Sequence, residues 1–312
     1  MKQNSIFNTI NEQINLFIDS KIAINLSKNS IYLYERILEH FYEFIASESD
    51  KEAFKSFRDI NRYFLTEYTQ KLQKNNFSDR TQHLYITIVK EFIFFIAESD
   101  TKKYGFLKEN INKFTIKYEQ KEATSFTTQE QTQILNLVAK LDMSDKFLDN
   151  RNSLMLKILL FTGLRITELL SIVWSDVEET DTEYKIKVIG KGRKQRYTYL
   201  NKENTQINID ILKTSNNQNK YLFTSAKGNP MDRKNAWSIV ANLLKKANVY
   251  KTGLHIFRHT LGRNLANDNI NLSIIKEILG HSNITTTAHI YAKVDENAKR
   301  KTLIHNSKIK LT

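Results

Sequence analysis

The chain contains a single proline, Pro230, among its 312 residues, together with only eight glycines. Proline and glycine are the residues that most weaken helices, so helices can run through almost all of this sequence. Apolar residues make up 40% of the chain and charged residues 26%, a balance that excludes disordered and low-complexity proteins. The sequence therefore predicts a globular, mainly helical protein.

The length of the chain and one break in its pattern predict two domains. A chain of 312 residues exceeds the usual domain size of about 100–200 residues. Residues 117–124 are polar and lack periodicity, and Thr127 and Glu130 then form a capping-box pattern that starts a new helix. We predict a helical domain at residues 1–116, a linker at 117–124 and a second domain at 125–312.

Apolar residues of the first domain recur at the helical period in two segments. One segment follows Ser30 and the other follows Ser78 or Asp79, and serine and aspartate are residue types that cap helix N-termini. The first domain is therefore predicted to contain two long helices with one buried face each. The predicted buried residues are Tyr34, Ile37, Leu38, Phe41, Phe44 and Ile45 in the first segment and Leu84, Ile88, Phe92 and Phe95, with Tyr85, Val89 and Ile96 widening the stripe, in the second.

From Glu183 onward the helical period gives way to alternation. Three apolar residues between positions 184 and 188 alternate with two lysines, a turn with Gly190 and Gly192 follows, and alternation then resumes. Alternation on both sides of a glycine-containing turn is typical of a β-hairpin. The expected fold class is thus mainly α with a small antiparallel β-hairpin or sheet. A helix with Trp237 in the core is expected after Pro230.

Positive charge is concentrated in the second part of the chain. Lysine and arginine total 47 against 34 aspartate and glutamate residues, and residues 121–312 hold +12 of the net charge of +13. A basic excess of this size favours a polyanionic partner. Because no basic amphipathic helix typical of membrane binding stands out, we expect nucleic acid as the partner and no membrane.

Cysteine is absent from the sequence, which excludes disulfides, thiolate catalysis and cysteine-based metal centres. The first residues contain no apolar stretch of the kind found in signal peptides, and no uninterrupted apolar run approaches 18 residues. We therefore expect a cytoplasmic protein.

Histidines cluster near the C-terminus, where five of the seven fall within the last 62 residues. His255 and Arg258 are three residues apart and so share a helical face, whereas His281 directly follows Gly280, a typical helix terminator. Tyr291 lies ten positions further along the chain. Arginine binds phosphate, histidine exchanges protons near neutral pH and tyrosine offers an oxygen nucleophile, so this set suits phosphoryl transfer.

A zinc site is the alternative interpretation of two of these histidines. His255 and His259 have the i, i+4 spacing at which two histidines can bind zinc on a helix. The residue after His255 is isoleucine, whereas the metalloprotease motif requires glutamate there. We therefore expect neither a metal ion nor another cofactor.

Five motifs of the second domain stand out in combination. They are Thr162-Gly163-Leu164-Arg165-Ile166-Thr167-Glu168-Leu169, Gly190-Lys191-Gly192-Arg193-Lys194-Gln195-Arg196, His255-Ile256-Phe257-Arg258-His259, Leu279-Gly280-His281 and Tyr291. In this order and spacing they resemble the motifs of the tyrosine recombinase family. The resemblance covers residues 125–296, and the first domain is similar to the family's helical core-binding, SAM-like domain. It implies a two-domain clamp, in which an α+β catalytic domain follows the core-binding domain.

The resemblance also implies roles in cutting and rejoining DNA without metal or ATP. Arg165 and Arg258 would bind the oxygens of the scissile phosphate, and Tyr291 would attack phosphorus to form a 3′-phosphotyrosyl link. The expected general acid is Lys191, with Lys194 as the rival on the same hairpin.

Two histidines complete the implied catalytic set. His255 would assist removal of the tyrosine proton, and His281 would hydrogen-bond the phosphate. Each residue also has a simpler interpretation; Arg165, for instance, has the spacing of an ion-pair partner of Glu168.

Basic residues in both domains are expected to contact DNA. They are Lys28, Arg80, Arg193, Lys194, Arg196 and Arg233. Arg233 could equally be a solvated charge at the start of a helix. The resemblance implies a homotetramer on two duplex recombination sites, with the basic C-terminal tail, residues 297–312, exchanged between protomers. A DNA translocase or an accessory factor is a further potential partner.

The length and layout look most like Xer-type recombinases, which resolve chromosome dimers and so serve chromosome partition and cell division. Phage and transposon integrases are close alternatives. A DNA-binding regulator on the same fold and a type IB topoisomerase are the alternatives of another kind.

Overall fold

A computed structural model describes residues 2–50, 54–119, 124–190, 194–215 and 219–280. The chain divides into two compact units, Met1–Lys121 and Glu122–Thr312. No helix in these ranges combines the length and the apolar character needed to cross a bilayer.

The first unit contains helices and no β-strand among its described residues. Its helices are α1 (Lys2–Ala23), α2 (Lys28–Asp50), α3 (Arg62–Lys74), α4 (Asp79–Ser99) and the short α5 (Thr101–Tyr104) and α6 (Phe106–Ile111). Tyr34 of α2 donates a hydrogen bond to Glu91 of α4 (2.9 Å), and His40 lies against the ring of Tyr85. Residue numbers in these contacts rise along α2 and fall along α4, so the two helices are antiparallel.

The two predicted apolar faces of this unit are buried, with two local differences. Leu38, Phe41 and Phe92 lie in the core, but Leu84 is 38% exposed because the buried face of α4 centres on the next position, Tyr85. Ser78 caps α4 as predicted, accepting from the amide of Thr81. The predicted cap Ser30 is wrong: α2 begins earlier, and Ser27 accepts from the Ser30 amide (3.2 Å).

The second unit is built around a buried helix. Its elements are α7 (Thr128–Asp142), α8 (Phe147–Thr162), α9 (Ile166–Leu170), β1 (Val177–Glu179), β2 (Glu183–Ile189), β3 (Gln195–Asn201), α10 (Gln206–Ser215), α11 (Arg233–Lys246), α12 (His255–Asn267) and α13 (Leu272–Leu279). Residues 150–159 of helix α8 are buried on nearly every side, and residues 154–156, 158 and 159 are fully buried. Such a helix is typical of a domain centre rather than a surface. The other helices and the sheet therefore have a common core to pack against.

The predicted hairpin forms part of a three-stranded antiparallel sheet in the order β1-β2-β3. Val188 of β2 pairs with Arg196 of β3, and Ile186 pairs with Thr198. The predicted fold class, mainly α with a small antiparallel sheet, is confirmed. Trp237 of α11, which was expected in the core, is 47% exposed.

One buried cation in this unit is fully paired. Lys157 of α8 bonds to Asp142 of α7 (2.7 Å) and to the side chain of Asn208 of α10 (2.7 Å). An unpaired buried charge is strongly destabilising, so this lysine fixes α7 and α10 against α8.

The capping box at the start of α7 generates a stability prediction. The Thr127 hydroxyl accepts from the Glu130 amide (3.2 Å), and the Glu130 carboxylate accepts from the Thr127 amide (2.7 Å) and from Lys251 (2.6 Å). Thr127→Ala removes the cap and is expected to lower the free energy of unfolding by about 1 kcal/mol.

Urea unfolding followed by tryptophan fluorescence measures this loss, because Trp174 and Trp237 both belong to the second unit. The matched control is Thr128→Ala, an exposed threonine one position into the helix. Equal losses in the two variants would contradict the capping role.

Candidate active site

Arg165 lies at a sharp corner between α8 and α9. Helix α8 ends at Gly163, which adopts the left-handed conformation with φ +59°. A side chain at this position would also come within 3.0 Å of Leu261 and Leu279. Glycine is therefore required here both by the backbone and by the close approach of α12 and α13, and the turn places Arg165 at the start of α9.

The carboxylate of Glu168 holds Arg165 in place. Oε2 accepts from the Arg165 amide (2.8 Å) and Oε1 accepts from Nη1 of its guanidinium (2.9 Å). The Arg165 side chain remains 30% exposed, whereas that of Glu168 is only 5% exposed. The ion pair considered in the simpler interpretation is thus present, and it orients a partly exposed guanidinium.

A second arginine also binds Glu168. Arg196 of β3 donates from Nη1 to Oε1 (3.1 Å) and from Nη2 to Oε2 (2.8 Å). Burial alone would raise the pKa of Glu168, but the hydrogen bonds and charges of Arg196 and Arg165 lower the pKa below its ordinary value. Glu168 is therefore ionised at neutral pH.

This pairing differs from the predicted role of Arg196 as a DNA contact. Its side chain is 16% exposed and points inward because Val188, its partner in the sheet, lies on the buried face. Sequence alternation contains this signal, since Arg196 has the same parity as the buried Leu200. Sequence reasoning missed Arg196 and Glu168 as a pair.

Arg258 connects the two left-handed corners of the unit. It lies on α12, is 4% exposed, and donates from Nη1 to the carbonyl of Gly163 (3.2 Å) and from Nη2 to the carbonyl of Leu279. These carbonyls belong to the ends of α8 and α13, where backbone acceptors lack helical partners. The predicted phosphate-binding arginine is thus set firmly between the segments that precede Arg165 and His281.

His255, the first residue of α12, lies within the field of several cations. Burial of part of its ring lowers the pKa of His255, and the charges of Arg258, Arg165 and Arg233 lower it further. The structure therefore brings four predicted residues close together, namely His255, Arg258, Arg165 and Arg233. A neutral imidazole at pH 7 is able to accept a proton.

Three predicted DNA contacts lie at exposed helix starts. Lys28 and Arg80 are near the N-termini of α2 and α4, and Arg233 is the first residue of α11. Because α2 and α4 are antiparallel, Lys28 and Arg80 are near opposite ends of the pair, about 25 Å apart along the axis at 1.5 Å per residue.

The tip of the hairpin is described only in part. Lys194 is exposed, and its carbonyl accepts from the amide of Gly190 (2.8 Å). Lys191, Arg193, His281 and Tyr291, and with them the predicted tail, lie outside the described residues.

No group of three or more histidine, aspartate or glutamate side chains able to hold a metal ion occurs in the part of the chain that the structure describes. The pair His255 and His259 does not belong to such a group.

The field around His255 generates a titration prediction. Replacement of the exposed Arg233 by Gln removes one of the charges that lower the pKa of His255, so we expect that pKa to rise. NMR titration of the imidazole nitrogens measures the change. The control is Lys245→Gln, an exposed cation near the far end of the same helix, which should leave the His255 pKa unchanged. An equal rise in both variants would show that only net charge matters.

Known proteins resemble this chain in sequence. The profile of the phage integrase family matches residues 125–298. The tyrosine recombinase XerC of Bacillus pumilus (strain SAFR-032) is 29% identical over 306 residues, which cover 93% of this chain and 94% of the relative. The tyrosine recombinase XerD of Rickettsia prowazekii (strain Madrid E) is 30% identical over 303 residues, which cover 90% and 92%.

A solved structure has the same fold. It is the XerH site-specific recombinase bound to a palindromic difH substrate in a post-cleavage complex, with a TM-score of 0.73 and 22% identity over 91% of this chain and 81% of that chain. The fold and sequence similarities confirm the resemblance predicted from the motifs. The chain belongs to the phage integrase family and is a site-specific tyrosine recombinase, a DNA strand-transferring enzyme.

Proposed function

We propose that the protein is a Xer-type recombinase that cuts and rejoins duplex DNA at a recombination site and resolves chromosome dimers. The convergence of Arg165, His255 and Arg258 at two helix corners carries the proposal, because it matches a phosphate-binding and proton-accepting centre. The XerC and XerD relatives, which align over at least 90% of both chains, favour the Xer type over phage and transposon integrases.

The proposed reaction is an in-line displacement at phosphorus. The Tyr291 oxygen attacks, the bond from phosphorus to the 5′-oxygen breaks, and a 3′-phosphotyrosyl ester and a 5′-hydroxyl form. His255 accepts the tyrosine proton, and Lys191 gives a proton to the departing 5′-oxygen. The number of phosphoester bonds is unchanged, so the 5′-hydroxyl of another strand can reverse the step without ATP.

The two arginines have different tasks in this scheme. Arg165 presents a partly exposed guanidinium to one non-bridging oxygen, and His281 hydrogen-bonds the same phosphate. Arg258 is buried against the Leu279 carbonyl, so we propose that a phosphate oxygen displaces this carbonyl from Nη2 when DNA binds. Both guanidinium groups then stabilise the extra negative charge of the pentacovalent transition state.

The assembly follows from the same proposal. We propose that the enzyme acts in the cytoplasm as a homotetramer on two DNA sites, with residues 297–312 of each protomer docked on a neighbour. A DNA translocase or another accessory factor would control the order of cleavage. The proposed phosphate contacts are Lys28, Arg80, Arg193, Lys194 and Arg233.

Covalent trapping tests the reaction. A duplex that carries the recombination site and a nick beside the scissile phosphate loses its short 5′-hydroxyl strand after cleavage, so the protein remains attached. We expect wild type to form this adduct in EDTA, whereas Tyr291→Phe binds the duplex without forming it, because the nucleophilic oxygen is missing.

Sequencing of DNA that is covalently bound to the protein in cells provides the site for this assay. A chromosomal terminus site would support dimer resolution, whereas a phage attachment site or a transposon end would overturn it in favour of integration. Adduct formation by Tyr291→Phe would contradict the role of that tyrosine.

Salt dependence tests the phosphate contacts of the first unit. Arg80→Gln should weaken binding to specific and nonspecific duplexes alike and reduce the slope of log K against log salt by about 0.9, as expected for one lost contact. The control is Lys108→Gln, since Lys108 is already paired with Glu98 (3.3 Å). Fluorescence anisotropy titrations at several salt concentrations between roughly 50 and 200 mM measure both slopes. An unchanged slope for Arg80→Gln would exclude this contact.

A further inference from the structure

Three separate segments of the second unit meet at the guanidinium of Arg196. Its Nη1 and Nη2 form a two-pronged pair with Glu168. A Cβ atom at Gly190 would lie 3.1 Å from Nη1, and one at Gly280 would lie 3.1 Å from Cζ. Because neither glycine has a side chain, there is room for the guanidinium between them.

The chain positions of these contacts connect them to the proposed chemistry. Gly190 directly precedes Lys191, Gly280 directly precedes His281, and Glu168 also binds Arg165. One buried side chain therefore contacts the immediate neighbours of a general acid and a phosphate ligand, and shares a carboxylate with a phosphate-binding arginine.

The geometry is specific to arginine at this position. A carboxylate accepts two parallel hydrogen bonds from a planar guanidinium, which fixes both distance and orientation, whereas a lysine ammonium offers only a point charge. Arg196 lies at the second position of β3, just after the hairpin tip. Its two bonds to Glu168 therefore connect this end of the hairpin to α9.

We propose that Arg196 is a positioning residue that locks the β2–β3 hairpin against the Arg165 turn, and that the general-acid step assigned to Lys191 depends on this lock. This inference rests on the proposed recombination chemistry. In this proposal Arg196 neither contacts DNA nor transfers a proton. It also shares the Glu168 carboxylate with Arg165, which would otherwise be the only arginine bonded to it.

The test compares two versions of the nicked suicide duplex. In one, the bridging 5′-atom is oxygen, and in the other it is sulfur, which departs as a thiolate and needs no general acid. Arg196→Gln should bind both duplexes with a Kd within about threefold of wild type. Its cleavage rate should fall about 100-fold on the oxygen duplex, the size of effect expected for a misplaced acid, and less than about tenfold on the sulfur duplex.

Three variants control for folding and specificity. Arg196→Lys keeps the charge and should lose only about tenfold on the oxygen duplex. The double variant Glu168→Gln/Arg196→Gln leaves no unpaired buried charge, so its thermal unfolding should be close to that of wild type while cleavage of the oxygen duplex stays slow. Lys202→Gln removes a cation that directly follows β3 and is paired with Glu179 (2.6 Å), and this variant should cleave normally.

The outcomes separate the inference from the proposed function. If wild type forms no adduct with either duplex, the recombinase chemistry itself is wrong. If wild type cleaves and Arg196→Gln remains within about threefold of it, or loses the same factor on both duplexes, Arg196 does not position the acid.

Discussion

The buried carboxylate of Glu168 is the interaction on which the candidate active site depends. Removal of a carboxylate from water costs several kcal/mol, on the order of the whole stability margin of a small domain. Two guanidinium groups and a backbone amide compensate here, and they come from the α9 turn and from β3. The carboxylate can be buried only if helix and sheet are docked, so this pair couples the folding of the unit to the assembly of the site.

Helix ends provide the second constraint. Gly163 and Gly280 both adopt left-handed conformations, and each ends a helix just before a residue of the proposed catalytic set. Their flanking carbonyls have lost helical partners, and Arg258 satisfies two of them at once. Arg258, which we propose to bind phosphate, therefore also fixes the corners, and these two contacts account for its burial.

Most of the fold could be predicted from the sequence, because periodicity reports on burial and backbone turns. Of the predicted catalytic set, Arg165, His255 and Arg258 lie close together in the structure, and their roles stay predictions. The errors lie where neighbours in space decide. Leu84 and Trp237 have the helical spacing of core residues, but among the described residues they remain 38% and 47% exposed. Arg196 was assigned to DNA because a basic hairpin tip suggests phosphate, whereas its orientation depends on the strand register and on a carboxylate 28 residues earlier. Charge alone does not reveal which cations are already paired.

The distribution of charge decides what the site can bind. Arg165 and Arg196 carry two positive charges and share the single negative charge of Glu168, so the three side chains have a net charge of +1. The more exposed of the two arginines is Arg165. Arg258 and Arg233 add to this surplus. Burial lowers the pKa of His255, and the charges of Arg258, Arg165 and Arg233 lower it further. A phosphodiester gains negative charge as phosphorus becomes pentacovalent, so a preformed surplus favours the transition state over the ground state. The same charges lower the pKa of the imidazole, so the groups that we propose to bind the phosphate also favour the neutral form of the proposed base.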